Sequence, residues 1–186
     1  MNLELLRLES NRHLRALLKL EGRDSDQHLK EIEGLRAVHA HTIRFIEKRR
    51  DQTCATYAFS LTDDPTYRAV AGLCNIYAGK EFMRWAIEGR LRELREPHEG
   101  CLVSYFFCGE WKHIGVIANS ARVVSKWGTY PLYEHALAEV PEDYGSQVAF
   151  YARPSPAEAL TLFIEFAREC GLSDADIALA CSRWRE

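Results

Sequence analysis

The chain has 186 residues, with 27 acidic against 24 basic side chains and a formal net charge of −3. That balance excludes the basic excess of a general nucleic-acid binder, and a 47% hydrophobic content beside 27% charged residues is that of a folded domain. The N-terminus, Met1-Asn2-Leu3-Glu4, has neither the basic start nor the uninterrupted apolar run of a signal peptide, and no stretch approaches an uncharged membrane span. A cytoplasmic protein with no membrane partner is the expectation. Its six cysteines, at positions 54, 74, 101, 108, 170 and 181, are then expected as thiols.

Leu3, Leu6, Leu14, Leu17 and Leu18 recur at helical spacing and predict a helix over 3–20, which Gly22 ends. Asp24 with Gln27 three residues on has the form of a helix-start box. Ile32, Leu35, Val38, Ile43 and Ile46 then predict a second helix over 25–49. The two make an N-terminal hairpin over residues 1–50, placed either to cover the core or to bind a protein partner through residues 1–48. His39 and His41 stand two apart on it, on different faces of a helix, which makes them poor joint metal ligands.

After the basic run Lys48-Arg49-Arg50 and the single acid Asp51, the stretch Gln52-Thr53-Cys54-Ala55-Thr56-Tyr57-Ala58-Phe59 turns apolar at helical spacing. Cys54 reads as the first residue of a buried helix, where the positive field of the N-terminus favours the thiolate. That helix is expected to stop near Asp63-Asp64-Pro65, with Asp64 capping and Pro65 opening the next one. Val70, Leu73 and Cys74 supply its apolar face, and Phe82, Trp85, Ala86, Leu91 and Leu94 predict a longer helix over 79–95.

Beyond Pro97 the pattern changes to β-formers. Residues 101–107, 113–117 and 122–125 predict an antiparallel meander turning at Gly109-Glu110 and Asn119-Ser120, with a further strand over 148–152. A helix from Pro156, capped by Ser155 and ended by Gly171, and a short one from Asp174, capped by Ser173, close the chain. Helices first and sheet second is an α+β organisation, with residues 51–186 as the main domain and the 1–50 hairpin part of it or packed on it.

A cysteine nucleophile needs a base within reach and a group that orients that base. His113 opens a strand immediately before Ile114-Gly115-Val116-Ile117, and a short hairpin brings Ser125 toward it from the next strand. Cys54 at a helix start, the glycine-led strand Glu99-Gly100-Cys101-Leu102-Val103-Ser104-Tyr105-Phe106 and the strand His113-Ile114-Gly115-Val116-Ile117 together resemble, over about residues 51–127, the papain-like cysteine peptidases and amidases of NlpC type. Thr53 and Ala55 stand where that family usually has Asp and Ser-Gly. The resemblance implies a papain-like antiparallel sheet packed against a Cys-bearing helix. It also implies amide hydrolysis or acyl transfer on a peptide-like substrate without a cofactor, with Cys54 as nucleophile, His113 as general base and Ser125, or else His135, as the third catalytic residue.

Around this pair, Gln52 has two readings, an oxyanion donor or a surface side chain. Trp127, Tyr130 and Tyr133, with Gly128 and Pro131, either line a substrate cleft or anchor a long loop on the core, and Lys126 is available for a substrate carboxylate. No metal site is expected, because Cys101, Cys108 and His113 match no paired-cysteine spacing. The rival reading is a non-catalytic α+β interaction module that binds a partner through the N-terminal helices.

Overall fold

The computed structural model describes residues 25–37, 41–48, 51–119, 122–128 and 131–184. The expected helix over 3–20 lies outside them. Among the described residues the fold is α+β: six α-helices and one seven-stranded sheet in which every neighbouring pair is antiparallel. In chain order these are α1 (Ser25–Arg36), β1 (Arg44–Glu47), α2 (Cys54–Ala58), α3 (Pro65–Cys74), α4 (Lys80–Ile87), β2 (Glu93–Leu94), β3 (Leu102–Phe107), β4 (Glu110–Asn119), β5 (Arg122–Lys126), β6 (Leu132–Ala136), a 3₁₀ turn over Glu142–Tyr144, β7 (Gln147–Tyr151), α5 (Pro156–Glu169) and α6 (Asp174–Arg183). Across the sheet the strands run β1-β6-β5-β4-β3-β7-β2.

Local chemistry accounts for the ends. Thr53 caps α2 by accepting from Thr56 N at 3.1 Å while Thr53 N donates to Thr56 Oγ1 at 2.8 Å. Asp64 caps α3 with Pro65 as its first residue, and Ser155 and Ser173 cap α5 and α6, each within a capping box. β3 and β4 meet at the two-residue turn Cys108-Gly109, both with positive φ (51° and 79°), as the tightest antiparallel hairpins require.

Two faces of the sheet carry two cores. On one, Leu102, Ile114 and Val116 pack with Ala55 and Ala58 of α2, Phe82 and Met83 of α4, and Phe163 and Phe166 of α5. The buried positions of α2 are small, which lets this short helix lie close against β4 and β5. On the other face, Tyr105, Ile117, Val123, Trp127, Tyr133 and Tyr144 pack with Ile43 and with Ile32 of α1. The pleat of β4 would send residues 111 and 113 to one side, but a bulge in the β3–β4 register between Tyr105 and Phe106 separates them. Trp111 packs on the α2 side and His113 on the other.

Three expectations are corrected. The second helix ends at Arg36, and residues 44–47 form strand β1, paired with β6. Residues of the expected hairpin are therefore part of the sheet, and the apolar pair Ile43 and Ile46 belongs to an extended segment. The helix over 79–95 stops at Ile87, where Gly89 takes a φ of +98°, and residues 93–94 return as β2 against β7. Leu132–Ala136, where Tyr133 is expected in a long loop, is strand β6, with Tyr133 and His135 both inward.

Candidate active site

Cys54 is the first residue of α2, half-buried behind the Thr53 cap and packed against the helix-side core. With five residues, α2 is too short to supply the field of a full helix, so any assistance to its thiol comes from side chains. A cation coupled to this thiol is Lys126. Strand alternation turns the Lys126 side chain from β5 toward α2, it has 0% exposure, and its Nζ donates to Gly128 O at 3.1 Å. Burial lowers its pKa from 10.5 to about 8, and the negative charges of Cys54 and Asp51 oppose that shift. Asp51 in turn accepts from Arg68 Nη2 at 3.2 Å. Gln52 between them is buried, and its Oε1 has no hydrogen-bond partner among the described residues.

His113 is not at this cluster. Its ring lies flat on Tyr144, with centroids 3.9 Å apart and planes 11° from parallel, and 5.7 Å from the Tyr105 ring, all on the face of the sheet away from α2. Burial first, and the neighbouring His135 second, hold its pKa well below the ordinary histidine value. A neutral, fully enclosed imidazole on the far face shares no hydrogen bond with Cys54.

Ser125 and His135 are joined, but to each other. His135 Nδ1 donates to Ala136 O at 2.8 Å, which leaves Nε2 to accept from Ser125 Oγ at 2.7 Å, and Ser125 Oγ accepts from Trp127 Nε1 at 3.0 Å. Burial lowers the His135 pKa to about 4, so the ring is neutral and this tautomer is fixed by its bonds. Ser125, His135 and Trp127 are all enclosed. Trp127 is thus a core side chain, with Tyr133 at a ring-centroid distance of 4.8 Å, and not part of an open cleft. Tyr130 lies outside the described residues. His41 is buried: its Nδ1 accepts from Ile43 N at 3.2 Å and its Nε2 donates to Ile32 O at 2.9 Å.

Of the expected site, the structure brings together Cys54 and Lys126, with Asp51 added, and separates both from His113, Ser125 and His135. Lys126 was legible only as a charge available to a substrate. The signal for its true place was alternation in Val123-Val124-Ser125-Lys126, which sends Ser125 and Lys126 to opposite faces whenever this run is a strand. No disulfide joins any of the six cysteines. Among the described residues there is no helix long and apolar enough to cross a membrane, and no group of three or more metal-ligating side chains. Compared with protein-family models, curated proteins and solved structures, the chain matches none.

Proposed function

We propose that this chain is a thiol-dependent hydrolase or acyltransferase of papain-like layout, acting on an amide of a peptide-like substrate, with Lys126 in place of His113 as the partner of Cys54. The observation that carries the reading is the fully buried lysine on the α2 side of β5, brought to about 8 with Cys54 and Asp51 as its negative neighbours. A cation titrating near neutral pH suits both the holding of a thiolate and proton transfer. The Cys54 sulfur bonds to the carbonyl carbon, the carbon–nitrogen bond breaks, and the departing amine takes a proton from the Lys126 ammonium. The neutral Lys126 amine then takes a proton from the water that cleaves the thioester, which restores thiolate and ammonium. Support for the papain-like layout is the packing of the Cys-bearing α2 on β4 and β5; the departure is the side of the sheet on which His113 stands.

The test is residue-resolved labelling of the native protein with iodoacetamide, followed by hydrolysis of a panel of fluorogenic amides and thioesters. Fastest labelling at Cys54, with turnover abolished in Cys54→Ala, is expected. Equal slow labelling of all six cysteines overturns the reading.

A second reading, protein binding through the N-terminal part, is favoured by one observation. Edge strand β1 exposes Phe45 (49%) and Ile46 (44%), and an apolar edge strand is a template for another chain. Partner capture lost in Phe45→Glu/Ile46→Glu but kept in Cys54→Ala would select this reading over the enzymatic one.

A further inference from the structure

Beside the C-terminal end of α2, where Arg153 bonds to Ala58 O, the chain forms an open cavity of about 620 Å³, between the segment that leads into β2, the exit of β7 and the first turns of α5. Three arginines line it, Arg90, Arg92 and Arg153, together with Glu158 and a small aliphatic surface that includes Leu91, Pro154 and Leu162.

The charges in this cavity are not balanced from within. Arg90 is committed: its guanidinium carbon stands 3.8 Å over the Trp85 ring, Nη1 donates to Trp85 O at 3.0 Å, and Nη2 pairs with Glu169 at 3.0 Å. Arg153 spends its donors on neutral oxygens. Nε donates to Ala58 O at 2.8 Å, and Nη2 to Ser60 Oγ at 2.9 Å and Tyr57 O at 3.5 Å, where α2 ends, and no carboxylate stands against it among the described residues. Burial lowers its pKa, the mark of a guanidinium that has lost part of its water without gaining an anion. Arg92 is exposed and, among the described residues, has only a backbone bond, its carbonyl accepting from Ala152 N at 2.9 Å.

The one carboxylate in the lining is already occupied. Glu158 Oε2 accepts from Ser155 N at 2.8 Å and from Ser155 Oγ at 2.7 Å as the return half of the α5 capping box, and those bonds hold its pKa below the usual carboxylate value. Its charge is directed into the cap and the helix end. The first turn of the 14-residue α5 adds the positive end of a full helix to the same wall.

Two guanidinium groups without carboxylates, a helix start and an aliphatic strip facing one concavity are complementary to a ligand with an anionic head and a short apolar body. We propose that this cavity binds a small organic oxyanion, a carboxylate or a phosphate monoester, with Arg92 and Arg153 on the anionic head and Leu91, Pro154 and Leu162 against its aliphatic part. Charge selects the head and the strip selects the body, so affinity rises with chain length at a fixed head group. The site does not depend on the chemistry of Cys54.

Titration calorimetry at low salt tests this with two probes on the full chain: inorganic phosphate, and the aliphatic carboxylates from acetate to octanoate. Saturable binding of at least one probe, weakened about tenfold or more in Arg92→Gln, is expected. Phosphate alone identifies a phosphate head; carboxylates that tighten with chain length identify a carboxylate head. The Arg92 side chain makes no hydrogen bond or ion pair among the described residues, and Thr161→Glu, which sets a second carboxylate on the α5 wall, provides an independent block. Absence of saturable binding for both probes overturns the proposal. So does binding that Arg92→Gln and Thr161→Glu, both folded by thermal melt, leave unchanged.

Discussion

Ser125 and Lys126 are neighbours in the chain and stand on opposite faces of the sheet: the Ser125 hydroxyl is 2.7 Å from His135 Nε2 on one face, while Lys126 lies in the field of Cys54 and Asp51 on the other. One strand thus separates a neutral hydrogen-bonded network from a thiol set beside a lysine and an aspartate. Substitutions at two consecutive positions have different and separable consequences.

Lys126→Met keeps the length and the apolar stem of the side chain and removes the ammonium. The expected outcome is slower labelling of Cys54 at pH 7 by about tenfold, the size of a thiolate fraction changed by one pH unit. The rates of the exposed Cys108 and Cys170 stay as they are. A Cys54 rate unchanged in Lys126→Met, measured by mass spectrometry on the folded protein, removes Lys126 from the mechanism.

Ser125→Ala strands two buried groups together, because Trp127 Nε1 loses its acceptor and His135 Nε2 its donor. Each buried polar group left unpaired costs about 1–3 kcal/mol, so a loss of roughly 2–6 kcal/mol in urea unfolding is expected. Labelling of Cys54 is unaffected, which separates a structural serine from the catalytic third residue that the family resemblance implies. A stable Ser125→Ala with an inert Cys54 would restore the catalytic role.

The two buried histidines make the fold acid-sensitive in a defined window. Both are neutral in the folded chain, with His135 at about 4 and His113 well below its ordinary value, while in the unfolded chain they titrate near 6.5. Between those values the unfolded state binds more protons, so stability is complete above about pH 6.5 and is lost as pH falls toward 4. His135 alone accounts for about 3 kcal/mol across that interval. Urea midpoints from pH 7.5 to 4.5 are expected to fall accordingly, and His135→Gln removes about one proton from the slope. A flat profile in the unmodified protein would show that these rings are charged when folded.

Much of this architecture is written locally. The caps Thr53, Asp64, Ser155 and Ser173 and the β-rich run after Pro97 mark their elements in sequence, because each signal acts within a few residues. What could not be read depends on distant partners. Arg44–Glu47 becomes a strand only because β6 offers it an edge, and Glu93–Leu94 only because β7 does. The placement of His113 follows from alternation once 113–117 is fixed as a strand facing α2 with Ile114 and Val116, which sends His113 and Ile117 to the other side; the bulge between Tyr105 and Phe106 shifts only Trp111. The order of cysteine and histidine along the chain was therefore compatible with a catalytic pair, while the pleat was not.

Gly145 tests how tightly the His113 face is fixed. Its φ of +87° with ψ of 173° is a conformation open essentially to glycine, and a Cβ added there would lie 2.0 Å from Phe106 O and 2.3 Å from Phe106 C, both in the backbone of β3. Neither atom can move without breaking the pairing of β3 with β7, in which Phe106 faces Gln147. The turn would have to lift instead, carrying Tyr144 off the His113 ring. Gly145→Ala is expected to lose more than about 2 kcal/mol in urea unfolding and to change the near-ultraviolet dichroism of the tyrosines. Gly34→Ala is the matched control: it lies in α1 with nothing within 4 Å of the added carbon, and a gain of about 0.5–1 kcal/mol is expected from helix propensity alone. Equal stabilities for the two variants would mean that Tyr144 and His113 are not locked together, and that the far face has room to rearrange.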